Sequence, residues 1–357
     1  MSRISPFARV AVATTMFALV AVATGQPAPA PKSTDPIDTA LKNAYAKYRN
    51  LKEGKNADYI PALAKVDPNL FGIVLVTTDG RVYKVGNTTG EVSIQSISKV
   101  FTMARVFEES GPDAVRNNIG VDATGQLFNS IVAIEQYKGK EMNPLVNAGA
   151  ITTTGMVKGK TADEVWQRII GTYDDFAGRK LSVNQEVYKS EAATNQRNQA
   201  IGMLMHAYER LKGDPLQAVD IYTRQCSVAV NALDLATMAA TLANGGKNPI
   251  TGKQVMSPEN VPPALAVMAT AGLYDDSGKW LYMTGLPAKS GVGGGIIAVS
   301  PGKFGIAAIS PPLDKAGNSV RAQRAIADIS NALGGNPYSV TPREPAQVTT
   351  RSRNARP

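Results

Sequence analysis

What this chain can fold into is constrained most by its strand patterns, which lie near its two ends with helical patterns between them. Residues 71–78, Phe-Gly-Ile-Val-Leu-Val-Thr-Thr, form an apolar, β-branched run. Asp79-Gly80 is a hairpin turn signal, and Arg81-Val82-Tyr83-Lys84-Val85 alternates as a returning strand does. A second hairpin comes late: Gly295-Ile296-Ile297-Ala298-Val299, a turn at Ser300-Pro301-Gly302-Lys303, and a return from Phe304 to Ile309. Most of residues 96–244 read as helices and loops, and residues 320–333 as a closing helix. This order predicts an α+β fold, with an antiparallel sheet built from both chain ends around an inserted helical region. The predicted domain spans residues 41–336, with its sheet part at about 41–95 and 285–336 and its helical part at about 96–284. A groove between the two parts is the expected place for a ligand.

The two ends of the chain read differently. Arg3 and Arg9 precede an uncharged, largely apolar stretch from Val10 to Ala23, and Ala21-Val22-Ala23 offers small residues for cleavage, so residues 1–25 read as an export signal. That stretch is shorter than the roughly 20 residues a membrane-spanning helix needs. A retained N-terminal anchor is the alternative. Residues 26–40 read as a Pro/Ala-rich linker, and residues 337–357 as a disordered basic tail carrying Arg343, Arg351, Arg353 and Arg356. The net charge of +9 thus gathers partly at the ends, with no basic run interleaved with aromatics, which argues for a general positive field rather than a nucleic-acid partner.

Cys226 is the only cysteine and His206 the only histidine. One of each cannot build a His/Cys zinc site or an internal disulfide. His206 lies in an apolar helical pattern and reads as a structural or surface histidine, so a Ser-His-Asp triad is not expected. An amide-cleaving serine then needs another base, and a buried lysine can serve. Ser-x-x-Lys occurs twice. Ser300-Pro301-Gly302-Lys303 sits in a turn where Pro and Gly forbid a helix. Ser96-Ile97-Ser98-Lys99 opens an amphipathic helix, which puts hydroxyl and amine on one face. Lys289-Ser290-Gly291, before the Gly293-Gly294-Gly295 run, matches the Lys-[Ser/Thr]-Gly edge strand of penicilloyl serine enzymes. Ser182-Val183-Asn184 mimics their Ser-x-Asn element only loosely.

Taken together, the motifs resemble the serine-dependent glutaminases, whose fold is that of the serine β-lactamases and DD-peptidases. Gln95-Ser96-Ile97-Ser98-Lys99-Val100-Phe101 is similar to their nucleophile segment. Asn143-Pro144-Leu145-Val146-Asn147-Ala148-Gly149-Ala150-Ile151, Ser190-Glu191 with Arg197-Asn198, Gln225-Cys226-Ser227, Gly272-Leu273-Tyr274-Asp275 and residues 287–296 follow in family order. The resemblance covers residues 58–333. It implies hydrolysis of L-glutamine with no metal or organic cofactor, Ser96 as nucleophile, Lys99 as base, and Tyr274 and Tyr222 relaying the proton to the leaving ammonia. It also implies that Asn147, Glu191 and Asn198 hold the α-amino and α-carboxylate groups, that Tyr59 flanks the site, and that the backbone N–H groups of Ser96 and Val292 bind the oxyanion. A homodimer or homotetramer is implied as well. Ile221-Tyr222-Thr223-Arg224 departs from the family pattern, in which an aromatic more often follows the tyrosine, and Ala271 replaces a common cysteine. A penicillin-binding or β-lactamase-like hydrolase and a catalytically silent glutamine-binding protein are the rival readings.

Overall fold

The computed structural model describes residues 35–339. The export signal, residues 26–34 of the expected linker and residues 340–357 of the expected tail lie outside the described residues. Within them, the first helix already begins at Pro36 and runs to Tyr48, so the last five residues of the expected linker are helical. Asp35 explains that start: its carboxylate accepts from Ile37 N at 2.9 Å, and Pro36 occupies the first helical position.

A five-stranded antiparallel sheet is built from β1 (Gly72–Thr77), β2 (Val82–Gly86), β6 (Ala288–Gly291), β7 (Gly295–Ser300) and β8 (Phe304–Ile309), in the order β2-β1-β8-β7-β6. The first and last thirds of the chain meet at its centre, where Gly72 pairs with Ile309 and Thr77 with Phe304. The sheet explains why β1, β7 and β8 are apolar throughout rather than alternating: both of its faces are covered. Val74, Val76, Ile297, Val299, Ala307 and Ile309 join the large core under the inserted helices. Their neighbours Ile73, Leu75, Ile296, Ala298, Ile306 and Ala308 pack on the other side with Leu41 and Ile326, from the helices Pro36–Tyr48 and Val320–Ala332.

The insertion is mostly helical, as its periodicity predicts, with one difference. A small second sheet, β3-β5-β4, joins β3 (Val92–Ser93), β4 (Ser182–Val183) and β5 (Val228–Val230). Strands of two or three residues are too short to leave a period-2 pattern in the sequence. This sheet ties the start of the candidate nucleophile segment to the helical region, through Val92 opposite Val230 and Ser93 opposite Ala229.

The glycine-rich turn after β6 then presses on that segment. A Cβ at Gly293 would stand 2.3 Å from the Ser93 carbonyl oxygen, and one at Gly291 would stand 2.7 Å from that of Ile94. Only glycine allows this approach. Gly293→Ala is therefore expected to cost about 1–3 kcal/mol of stability, the usual range for overpacking. It should also slow catalysis, because the displaced backbone carries both Ser96 and Val292. Thermal melting and turnover of the purified variant check this, and an unchanged melting temperature with full activity would refute the packing argument.

Candidate active site

Ser96 sits in a 3-10 turn, Gln95–Ile97, that runs straight into the helix Ser98–Ser110. The first backbone N–H groups of such a helix lack intrahelical acceptors and present positive potential. Gln95 holds a left-handed backbone, φ 50°, immediately before the serine. A non-glycine residue there is strained and persists only because its surroundings hold it. Those surroundings are visible: the Gln95 amide donates to Ser93 Oγ at 3.2 Å and to Glu191 Oε2 at 3.1 Å.

Lys99 lies one helical turn on and is 1% exposed. Its Nζ donates to Leu145 O at 3.1 Å and to Asn147 Oδ1 at 2.7 Å, and among the described residues it makes no ion pair. Burial is the main cause that lowers its pKa to about 7, against smaller raising effects of Cys226 and Glu191. A neutral amine has two N–H bonds, and these two acceptors engage both. The lone pair is left unspent. The amine's hydrogen bonds do not run to Ser96 itself.

Tyr274 occupies a 3-10 turn with φ 56° and donates from its hydroxyl to Ser290 O at 3.3 Å. Burial pushes its phenol up to about 12, while hydrogen bonds with Ser96 and Ser290 pull it down. Phe128 packs on its ring, with centroids 4.7 Å apart. Tyr222 is buried and donates to Asn147 Oδ1 at 3.3 Å, while Lys99 Nζ stands 5.8 Å from its ring centroid. Asn147 is thus a junction, accepting from Lys99 and Tyr222 and donating from Nδ2 to Asn198 Oδ1 at 2.9 Å.

A cavity of about 300 Å³ opens over Ser96. Of the residues expected from sequence, Ser96, Tyr59, Asn147, Glu191, Asn198, Tyr222 and Val292 line it. Lys99 and Tyr274 do not; Lys99 lies beneath the floor, and Tyr274 borders a separate cavity of about 80 Å³. Tyr59 is half exposed at the mouth, and Val292 sits in the β6–β7 turn. Glu191 is 6% exposed, and burial raises its carboxyl to about 7, opposed by the Gln95 hydrogen bond and the nearby Lys99. An oxygen-rich cavity with a buried carboxylate suits a ligand that brings its own cation.

Four residues stand near the site to which the sequence assigned no individual role. Gln95 steadies Glu191. Phe128 and Arg197 line the cavity, with Arg197 Nε donating to Asn129 O at 3.0 Å. Lys289, wholly buried, donates to Ser290 O at 2.7 Å and stands 4.2 Å from the Tyr274 ring centroid. Three of them carried a signal in the sequence: Gln95 in its place beside Ser96, Arg197 in the Arg197-Asn198 match and Lys289 in the Lys289-Ser290-Gly291 edge-strand motif; Phe128 carried none. Asn184 is spent elsewhere: its side chain caps the helix Gln185–Ala192 by accepting from Glu186 N and Val187 N, so the loose Ser-x-Asn element supplies no cavity group. His206 is exposed, with its Nδ1 2.9 Å from Leu211 O, away from the cavity.

Comparison with known proteins settles the family. The glutaminase family model matches residues 54–338. The chain belongs to the glutaminase family. It is 55% identical to a glutaminase of Colwellia psychrerythraea over 300 residues, which cover 84% of this chain and 96% of that one. To a glutaminase of Brucella suis it is 53% identical over 307 residues, covering 86% and 97%. Among solved structures it superposes on the probable glutaminase ybaS with a TM-score of 0.85 at 47% identity, covering 86% of this chain and 99% of that one. A Bacillus glutaminase gives a TM-score of 0.77 at 29% identity, covering 84% and 99%. The glutaminase fold of this chain is the α+β, serine β-lactamase-like one, with its antiparallel sheet closed by both ends of the domain.

Proposed function

We infer that this protein hydrolyses L-glutamine to L-glutamate and ammonia through a glutamyl ester on Ser96. The observation that carries the reading is the Lys99 amine, buried one turn from Ser96, near neutral in pKa and with both N–H bonds of its uncharged form already engaged. Its lone pair takes the Ser96 hydroxyl proton as Oγ attacks the side-chain carbonyl carbon of glutamine. The oxyanion that forms is met by the backbone N–H groups of Ser96 and Val292. The carbon–nitrogen bond breaks, and the nitrogen leaves as ammonia after receiving a proton relayed through the Tyr274 phenol, with Tyr222 holding Asn147 and through it the amine. Water then attacks the ester carbon and gives a proton to Lys99, the Oγ–carbon bond breaks, and Lys99 returns the proton to Ser96 Oγ as glutamate leaves. No step needs a metal or an organic cofactor.

The α-end of the substrate is assigned to Glu191, Asn147 and Asn198. An ammonium calls for a carboxylate, and a carboxylate for neutral amide donors. Tyr59 flanks the entrance. Bringing an ammonium against Glu191 lowers its carboxyl from about 7 and ionises it fully, so binding should tighten as pH rises through neutrality. Glu191→Gln keeps the shape and removes the charge. A hydrogen bond to a charged group is worth about 1.5–3 kcal/mol, so KM is expected to rise about 10- to 100-fold while kcat changes much less. Steady-state kinetics on glutamine check it, and a KM within twofold of the parent enzyme removes Glu191 from the binding role.

Ammonia release from glutamine, with Ser96→Ala as control, is the decisive test. Labelling of Ser96 by a fluorescent penicillin with no ammonia from glutamine would favour the penicilloyl reading instead. A melting temperature raised by glutamine without turnover would favour a silent binding protein. We further propose export of the enzyme to the periplasm or outside the cell, with cleavage near Ala23 and no membrane insertion afterwards. Among the described residues no helix is long and apolar enough to cross a membrane. Mass spectrometry of the mature protein tests the cleavage, and a mass that includes Met1–Ala23 overturns it. Assembly as a homodimer or homotetramer, and absence of nucleic-acid binding, complete the proposal; light scattering and a gel-shift assay test them.

A further inference from the structure

Lys289 is wholly buried, yet the reaction described above gives it no task. It lies on β6, at the edge of the five-stranded sheet, opposite Ile297. Ile297 packs into the core under the inserted helices, and Lys289 projects to that same side. Among the described residues it makes no ion pair. An ionisable group buried without an opposite charge weakens the fold. Its contacts point to what it does instead.

Its Nζ donates to Ser290 O at 2.7 Å and stands 4.2 Å from the centroid of the Tyr274 ring. The Tyr274 hydroxyl donates to the same carbonyl at 3.3 Å. That shared acceptor is held from two sides. Ser290 N donates off the sheet edge to Gly272 O at 3.3 Å, and Ser290 Oγ donates to Asn318 Oδ1 at 2.6 Å. An amine keeps two N–H bonds even when uncharged. Ser290 O takes one, and the face of the Tyr274 ring lies before the other. Burial, and after it the charge of Lys99, holds the Lys289 pKa well below the ordinary lysine value.

We propose that Lys289 is a positioning residue for protonation of the leaving nitrogen, its amine meeting the negative charge that Tyr274 carries while the phenol proton is in transit. The inference rests on the glutaminase reading of the same site. As the tetrahedral species collapses, the carbon–nitrogen bond and the phenol O–H bond break, and a new N–H bond forms on the departing nitrogen. The phenol is left one proton short until the proton that Lys99 took from Ser96 restores it. A phenolate spreads its charge over oxygen and ring, and Tyr274 is buried from water. Lys289 stands against that ring and shares the hydroxyl's acceptor, so it is placed to offset the charge. It does not line the cavity over Ser96 and acts through the phenol alone.

The test uses the full-length protein with L-glutamine and L-glutamate γ-methyl ester, comparing kcat/KM, which reports formation of the acyl-enzyme. An amide nitrogen leaves only with a proton, whereas an alkoxide leaves far more readily without one. Lys289→Met, which keeps the buried bulk, is expected to lower kcat/KM for glutamine about 10- to 100-fold, part of what a general acid supplies. The loss should fall in kcat, with KM within about twofold, and the ester should lose no more than about threefold. Lys289→Gln, one atom shorter and uncharged, should show the same selective loss, so either variant that folds is decisive. In a Tyr274→Phe background, Lys289→Met should cost less than about twofold more, since the group it acts through is gone. Equal losses on amide and ester, or a full further loss beside Tyr274→Phe, would mark a merely structural lysine and overturn the proposal. Parent-like ammonia release by both variants overturns it too and leaves the glutaminase reading standing. No ammonia from the parent enzyme would remove both.

Discussion

Ser96→Ala is expected to lower the rate of ammonia release by about five orders of magnitude, since removing a covalent nucleophile abolishes every step that runs through it. The variant should keep its fold. The serine hydroxyl adjoins a cavity rather than filling a core, and losing one hydrogen bond costs only about 1 kcal/mol. Glutamine should still raise its melting temperature, because Glu191, Asn147 and Asn198 are untouched. A mass spectrum of the parent enzyme quenched during turnover should show a glutamyl adduct on the peptide carrying Ser96, absent from the variant. Turnover by Ser96→Ala within tenfold of the parent would remove the acyl-enzyme route altogether.

Lys99→Met should have the next largest effect, about 10³- to 10⁴-fold on kcat, the upper range for loss of a general base. Methionine preserves the buried bulk and takes away the lone pair. Lys99→Arg should fare no better, because a guanidinium stays protonated and cannot act as a base. The pH profile separates this from a packing defect. Burial lowers the Lys99 pKa to about 7, and the base is its uncharged form, so parent kcat/KM should rise as pH passes upward through about 7. Glu191 titrates in the same range, so the observed midpoint belongs to the pair. In Lys99→Met the residual kcat at saturating glutamine should lose its rise through about 7, while kcat/KM keeps the part that Glu191 contributes. The stability sign is also fixed: the unfolded lysine has a pKa of about 10.4, so the unfolded chain binds the extra proton between about 7 and 10.4, and the parent gains stability as pH rises across that window. Lys99→Met should lack this gain in chemical denaturation, and an identical pH dependence would contradict a neutral amine.

Much of this was legible in the residues themselves. Residues 71–85 and 295–309 announce hairpins because strands covered on both faces stay apolar throughout and their turns need Gly, Asp or Pro. The Ser96–Lys99 spacing works because a helix follows at once. Asn147, Glu191 and Asn198 were found through family motifs, and their spacing alone does not bring them together. What joins Asn147 to Lys99, Tyr222 and Asn198 is a set of contacts spanning up to 75 positions, which no local pattern encodes. The β3-β5-β4 sheet was hidden by the shortness of its strands. Lys289 was read as part of an edge-strand motif, and only the fold shows its amine against the Tyr274 ring. The linker was read five residues too long because Pro36 belongs equally to a Pro-rich tether and to the first position of a helix.

The pairing of β1 with β8 has a consequence for how the enzyme comes into being. Ser96 and Val292, the two sides of the expected oxyanion site, are brought together by strands more than two hundred positions apart. A nascent chain that has emerged as far as Thr284 holds the serine, its lysine and the whole substrate-binding set, yet no working centre. Contacts this distant close slowly, after the chain has given up the entropy of a long loop. Competence therefore arrives late and all at once, when the last hairpin zips onto the first. A fragment lacking β6 to β8 should stay inert however well its helices form.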